Sequence, residues 1–525
     1  MTSTARAGHI LERARWAAAA YADYDRASVD AIVNAVAEAG FRNAEKYAEW
    51  AVTETGMGVV ADKVRKNQAC SRGIVEHYRG EDFVSARVDE ARKIAELPRP
   101  AGVVLGLTPT TNPVATVYFK IILSLMTRNA VVIAPHPRAK ECCVDAARTL
   151  AEAATAAGAP DGIVQIIEDP SIPLVEELMS DERTDVIVAT GGTGVVRAAY
   201  SSGSPALGVG PGNVPVLVDA TADIRAAAKR IVDSKAFDNS VLCTNESVLI
   251  VEESVADRLE QEMARAGAHI LDEESVNRLR QYMFPGGHLN TDVVGKDATW
   301  IASEAGIAVG AKTRLLVAPF DVVIPEEPFT HEKLSPVIGM TRVADARRGI
   351  NVARAVVRIA GAGHSGAIHS SDPATIVEFG ARVPVLRVSV NVGNSTGGSG
   401  LDTNLAPSMT IGTGFVGRSS IGENLEPRHL LNWTRIAFNS DPSVPMGAMT
   451  GLEPWRGRTG PVPGYPTPSN DPGAVAAQPA SAPRRAQPAG PRPTPRPADR
   501  TPGTDQLRAE LRRIVVEELS QLVKG

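Results

Sequence analysis

Residues 101–134 read AGVVLGLTPTTNPVATVYFKIILSLMTRNAVVIA. A β-branched run, 102–105, gives way to a proline-marked turn, an apolar stretch and a second β-branched run, 130–133. The pattern repeats downstream: runs at 163–167, 185–188 and 214–218 alternate with Ala-rich stretches of helical period. Such alternation predicts an α/β fold, a parallel sheet covered by helices. Ligands are then expected outside the carboxyl ends of the strands. Upstream, residues 28–56 carry apolar side chains at helical spacing, with Ser28 expected as the cap and Gly56 as the stop.

The chain has 525 residues, 43% of them apolar and 22% charged, with a net charge of −5. That balance suggests neither nucleic acid nor an anionic membrane as the main partner. No apolar run reaches the ~18 residues a membrane span needs. The N-terminus carries Glu12, Asp23 and Asp25 and lacks an apolar core with a cleavage site, so it does not read as a signal peptide. Four cysteines in so long a chain form no disulfide framework, and the adjacent Cys142 and Cys143 lack a CxxC partner, so no metal site is expected. A cytosolic, reduced protein follows.

After Ala437 the composition breaks. Residues 441–503 hold 16 of the 37 prolines and are expected to be a disordered linker. From 504 to 525 apolar residues Leu507, Leu511, Ile514, Val515, Leu519 and Leu522 recur at helical spacing, which predicts an amphipathic helix.

Four segments carry chemistry. Leu107–Pro113 follows a strand and contains Asn112, which could be a turn asparagine or a donor at a strand end. Ala189–Val195, ATGGTGV, is a Gly-rich strand-to-helix turn able to meet a pyrophosphate, though it is not GxGxxG. Ser234–Ser247, SKAFDNSVLCTNES, places a lone thiol, Cys243, where a helix hands over to a strand; taken alone it could be a packing cysteine. His331–Val337 contains Glu332, which by itself could be a surface carboxylate.

In this order the segments resemble the aldehyde dehydrogenase superfamily, and more narrowly its CoA-acylating members, including the aldehyde-oxidising half of bifunctional aldehyde/alcohol dehydrogenases. The resemblance runs from about residue 28 to 438 through VTETGMGVVADKVRKN, GLTPTTNP, TRNAVVIAPHPRAK, ATGGTGVVRAAYSSGSPALGVGPGNVP, SKAFDNSVLCTNES, HEKLSPVIGM, NLAPSMTIGTG and ENLEPRHLLN. It implies that Cys243 is the nucleophile and that the Asn112 side chain and the Cys243 N–H hold the oxyanion. It assigns Thr110, Thr111, His136, Gly191, Gly192 and Glu332 to the nicotinamide cofactor, Glu332 on the ribose hydroxyls. Hydrolytic members carry a glutamate base where this chain reads GVGPGNVP at 208–215, with no ionisable side chain, and this departure implies acyl transfer to CoA. A second departure, Ala134 followed by His136, leaves NAD against NADP open. His331 and His429 are expected to be structural, and Cys142 and Cys143 to be packing residues.

The resemblance implies a Rossmann-like cofactor domain with N-terminal helices at 1–235, a catalytic domain at 236–424 and a return segment at 425–440. The expected reaction takes acetaldehyde or propanal to its acyl-CoA with NAD, in a homo-oligomer, and no iron-dependent alcohol dehydrogenase half is expected. The 504–525 helix resembles the encapsulation peptides of bacterial microcompartment enzymes, implying a shell protein or co-cargo as partner and a place inside such a compartment. A hydrolytic dehydrogenase, another reductase of the superfamily and a non-catalytic interaction protein on the same fold stand as alternatives.

Overall fold

The computed structural model of the chain describes residues 3–449, 451, 454, 455 and 465. The predicted 504–525 helix lies outside the described residues.

The N-terminal segment is helical, with helices Ser3–Tyr21, Arg26–Arg42, Ala44–Thr55 and Val60–Gln68. The periodic stretch at 28–56 is two helices broken at Asn43. Its cap is Asp25, whose carboxylate accepts the Ser28 N–H at 2.9 Å, rather than Ser28 itself. Gly56 ends the second helix as expected, in the left-handed conformation at φ 67°.

The β-branched runs form a five-stranded parallel sheet in the order Val164–Ile166, Ala130–Ala134, Val103–Leu107, Val186–Ala189, Ala206–Gly208. Strand order reverses between Val103–Leu107 and Val186–Ala189, so their carboxyl ends frame a crevice. Buried Lys120, on helix Pro113–Met126, straps the two strands there, donating to the carbonyls of Leu107 and Val188.

Val214–Val218 does not join this sheet. It pairs with Glu246–Glu252 and Gly366–His369 inside a second, seven-stranded parallel sheet that also holds Ala268–Ile270, Leu315–Pro319, Val337–Val343 and Val388–Val390. The change of sheet therefore falls between Gly208 and Val214, not at the expected boundary of 235. A fully apolar run signals a strand buried on both faces and does not say which sheet takes it.

The return segment makes strand Leu431–Ala437, antiparallel to Ile94–Pro100, in a separate three-stranded sheet completed by Arg87–Asp89. The start of the segment expected to be linker from 441 is mostly exposed but tied to the fold at a few points. Lys93 donates to the carbonyls of Asp441 (2.6 Å) and Val444 (2.7 Å), and the Trp455 ring lies 4.2 Å from the Arg128 guanidinium. Among the described residues no helix is long and apolar enough to cross a membrane.

Candidate active site

Helix Ile224–Ala236 stops at Phe237, and the next three residues, Asp238, Asn239 and Ser240, all have positive φ (48°, 49° and 65°). Three left-handed residues in a row are costly for L-amino acids, and Asn and Asp tolerate the conformation best. That is why the segment before the cysteine is polar. The turn swings the chain so that Cys243 sits at the amino end of strand Glu246–Glu252. Behind it, the Asn394 side chain donates to the Thr244 carbonyl at 2.6 Å, and its backbone N–H donates to buried Glu246 at 2.7 Å.

Asn112 comes from the opposite lobe, in the loop after Val103–Leu107. It occupies the N-cap of the helix begun by Pro113, yet its side chain makes no capping bond, unlike an ordinary Asn cap. Its Nδ2 instead donates to the Val241 carbonyl and to Thr111 Oγ1, each at 3.2 Å, and its Oδ1 accepts from Lys66. The cleft thus lies between the carboxyl ends of the first sheet and the amino ends of the second. Only the first half of that placement follows the general rule for parallel sheets.

Glu332 precedes strand Val337–Val343, at the same end as Cys243. Gly212 brings the two together. A Cβ on Gly212 would lie 2.1 Å from the Cys243 carbonyl oxygen and 2.8 Å from Glu332 Oε1. That oxygen is buried with no hydrogen-bond partner among the described residues. Burial raises the Glu332 carboxyl to about 8, against the pull of Lys235 and Lys333. Burial likewise pushes the Cys243 thiol up to about 12, helped by Glu332 and opposed by Arg387 and by the N–H groups of Cys243 and Thr244. Cys243 therefore rests as a neutral thiol.

A pH dependence follows. Well below pH 8 Glu332 is mostly neutral and leaves the thiol alone; well above it the carboxylate holds the thiol up. Iodoacetamide should therefore modify Cys243 at similar rates in wild type and Glu332→Gln well below pH 8. Above it the variant should react faster, with the rates followed by mass spectrometry of the Cys243 peptide.

The other cofactor candidates line the carboxyl ends of the first sheet. Gly191 and Gly192 follow strand Val186–Ala189, and Gly192 is the N-cap of helix Thr193–Ser201, which has no side-chain cap. A Cβ on Gly192 would meet nothing within 4 Å. That uncapped, open helix terminus suits a pyrophosphate, and the unpartnered Glu332 oxygen suits a ribose hydroxyl, so these residues fit a nicotinamide dinucleotide. His136 is exposed beyond strand Ala130–Ala134, its Nδ1 accepting the Arg138 N–H at 3.2 Å. Thr110 and Thr111 lie in the Asn112 loop, and Thr111 contacts Asn112 and Lys63. His331 and His429 are held by neighbours, on the Pro325 carbonyl (2.8 Å) and Glu423 (2.9 Å). Among the described residues no cluster of three metal-ligating side chains occurs.

Several buried basic side chains around the cleft were given no role by the sequence reading: Lys63, Lys66 and Lys235, which lie inside the quoted motifs, and Arg387, which lies outside them. Arg387 donates to the carbonyls of Gly363 and His364 at 2.8 and 3.0 Å and is a cation felt by Cys243. The one sequence signal is the i, i+3 spacing of Lys63 and Lys66, which puts both on one helix face.

The profile of the aldehyde dehydrogenase family matches residues 1–276. The chain is 39% identical over 447 residues to the bifunctional aldehyde-alcohol dehydrogenase of Escherichia coli K12, covering 84% of this chain and 50% of that one. It thus spans about half the length of that relative. A crystal structure of an acetylating aldehyde dehydrogenase from Geobacillus thermoglucosidasius matches with a TM-score of 0.82 at 38% identity, covering 83% of this chain and 97% of that one. A propionaldehyde dehydrogenase from Rhodopseudomonas palustris, solved with bound CoA and an acylated cysteine, matches with a TM-score of 0.75 at 26% identity, covering 82% and 97%. The chain belongs to the aldehyde dehydrogenase family. Within it, the chain stands with the acylating members.

Proposed function

We propose that this protein oxidises a short aliphatic aldehyde, the size of acetaldehyde or propanal, by the reaction aldehyde + CoA + NAD+ ⇌ acyl-CoA + NADH + H+. The observation that carries the reading is the wall formed by 208–215, which has no ionisable side chain and touches Cys243 and Glu332 through Gly212. The segment itself offers water no base, and Glu332 beside it is assigned in this reading to the cofactor ribose, whereas the CoA thiol is nucleophilic once partly ionised.

In this reading Cys243 Sγ loses its proton and adds to the aldehyde carbon. The amide of Asn112 and the N–H of Cys243 hold the resulting oxyanion. Collapse expels hydride from that carbon and leaves a thioester on Sγ. Attack by the CoA sulfur then forms acyl-CoA, and the CoA thiol proton restores the Sγ thiol, the proton Sγ lost on addition being the H+ of the overall reaction. NAD, when bound, supplies the hydride acceptor. Glu332 would hold its ribose hydroxyls and the amino end of Thr193–Ser201 its pyrophosphate.

Omitting CoA is the test. With aldehyde and NAD alone, a burst of at most about one NADH per active site should appear and then stall, because the thioester has no activated water. Continuous NADH formation with free acid as product and no thiol present would overturn the reading. Running the assay over an aldehyde panel with NAD and NADP fixes the substrate size and the cofactor.

A second reading rests on the apolar stripe at 504–525. A lone helix of about 20 residues is marginal in water, so it should find a partner groove. Docking into a protein-shelled compartment in the cytoplasm, through a shell protein or co-cargo, would confine a volatile, reactive aldehyde. Deleting 504–525 should spare specific activity and release the enzyme from purified compartments; unchanged co-purification would defeat the docking role. The enzyme is read as a homo-oligomer. Among the described residues strand Leu431–Ala437 pairs on one side only, and an open edge of this kind is a pairing template.

A further inference from the structure

Helix Val60–Gln68 belongs to neither sheet, yet it reaches into the cleft between them. Lys63 and Lys66, on one face of it, are 3% and 1% exposed, and no step proposed above uses them. Buried ammonium groups are expensive unless paired and hydrogen-bonded. Both of these are. Lys63 Nζ donates at 3.1 Å to Asp238 Oδ2 and at 3.1 Å to the Thr111 carbonyl. Lys66 Nζ donates to the same carboxylate oxygen and to Asn112 Oδ1. Asp238 also accepts the Val59 N–H at 2.7 Å and donates its own N–H to Asp62 at 2.8 Å.

One helix thereby holds both halves of the oxyanion site. Through Asp238 it pins the left-handed turn that delivers Cys243, and through Lys66 it fixes Asn112. The second contact has a chemical consequence. An asparagine amide can turn either edge toward a ligand, and only the N–H2 edge can serve an oxyanion. An ammonium on Oδ1 accepts no hydrogen bond, so the flipped amide would set N–H2 against N–H3+. Lys66 therefore selects the orientation in which Nδ2 faces the Val241 carbonyl, two residues before Cys243. The same cation polarises the amide and makes its N–H groups stronger donors.

We propose that Lys66 is a positioning residue for the chemistry at Cys243, locked on Asp238 and acting through Asn112 to present and strengthen the amide that holds the thiohemiacetal oxyanion. The proposal rests on the reading of Asn112 as an oxyanion donor, and the test separates the two.

In the full-length enzyme, Asn112→Ala should lower kcat by about 10²–10³, the usual cost of losing one such donor. Lys66→Met, close in volume and without charge, should lower kcat by roughly 10–10², as misplaced catalytic groups do. Its KM for CoA should stay within about twofold of wild type. Lys66→Gln keeps an N–H donor for Oδ1 and should recover part of the loss; it serves the same comparison if the Met variant is insoluble. In the Asn112→Ala background the Lys66 substitution should change kcat by no more than about twofold, because the group it acts through is gone. If Asn112→Ala is as fast as wild type, the oxyanion reading fails. If Asn112→Ala is slow but the Lys66 substitution costs nothing, or costs the same factor in both backgrounds, the positioning role is wrong.

Discussion

Cys243→Ala is expected to abolish CoA-dependent NADH formation and leave the folded protein nearly unchanged. The side chain is half-buried at the mouth of a turn whose conformation is fixed by Asp238 and Asn239, not by the sulfur. Truncating a small side chain there should cost no more than about 1 kcal/mol. The chemical loss has no such limit. Without Sγ there is no thiohemiacetal, so the aldehyde carbon never reaches the tetrahedral state from which hydride leaves. No other cysteine can substitute: Cys70, Cys142 and Cys143 are sealed in the core around the first sheet. Thermal melting should show one transition close to wild type, and titration should show intact NAD binding. A purified variant that keeps more than a trace of CoA-dependent activity would mean that another residue carries the chemistry.

The parts of this architecture that were legible in the sequence share one property: their signal is local. Val103–Leu107, Ala130–Ala134 and Val186–Ala189 announce themselves because strands buried on both faces must be apolar along their length. Which sheet a strand joins is a long-range fact, and for that reason Val214–Val218 was expected on the wrong side of the boundary. Likewise, Ser28 looks like a helix cap until the fold shows Asp25 already accepting its N–H. Asn112, Cys243 and Glu332 were reached through resemblance, since each alone has an ordinary structural explanation. Lys63 and Lys66 sit in VADKVRKN, a part of the family resemblance in which nothing marks them as buried. Their burial exists only because the turn at 238–240, some 170 residues later in the chain, folds back onto that face with a carboxylate.

The stretch 208–215 illustrates the same limit from the other side. In the sequence it stands out by what it lacks, a base for water. In the structure its glycines have a positive role, and Gly212→Ala is expected to be among the most damaging single-methyl changes in the protein. A methyl there would stand 2.1 Å from the Cys243 carbonyl oxygen and 3.1 Å from its carbonyl carbon, with Glu332 Oε1 at 2.8 Å. Contacts under 3.0 Å to backbone cannot be relieved by a rotamer change, so the Cys243 peptide itself must move. A shift of about 1 Å at a reacting centre is enough to lose 10²-fold in rate. Here a shift of the Cys243 carbonyl would carry Cys243 with it, and with it the N–H that the proposed mechanism sets on the oxyanion, so a loss of roughly 10²–10³ in kcat is expected. Gly210→Ala, two residues away, is the control. Its Cβ would meet the Thr413 side chain at 2.9 Å, a group that can give way more readily than backbone, and activity should fall far less. Steady-state kinetics of the two variants decide the matter, with iodoacetamide modification reporting on the thiol. Equal activity in both would show that the wall at 208–215 is merely inert, and that the cleft tolerates movement of the Cys243 peptide.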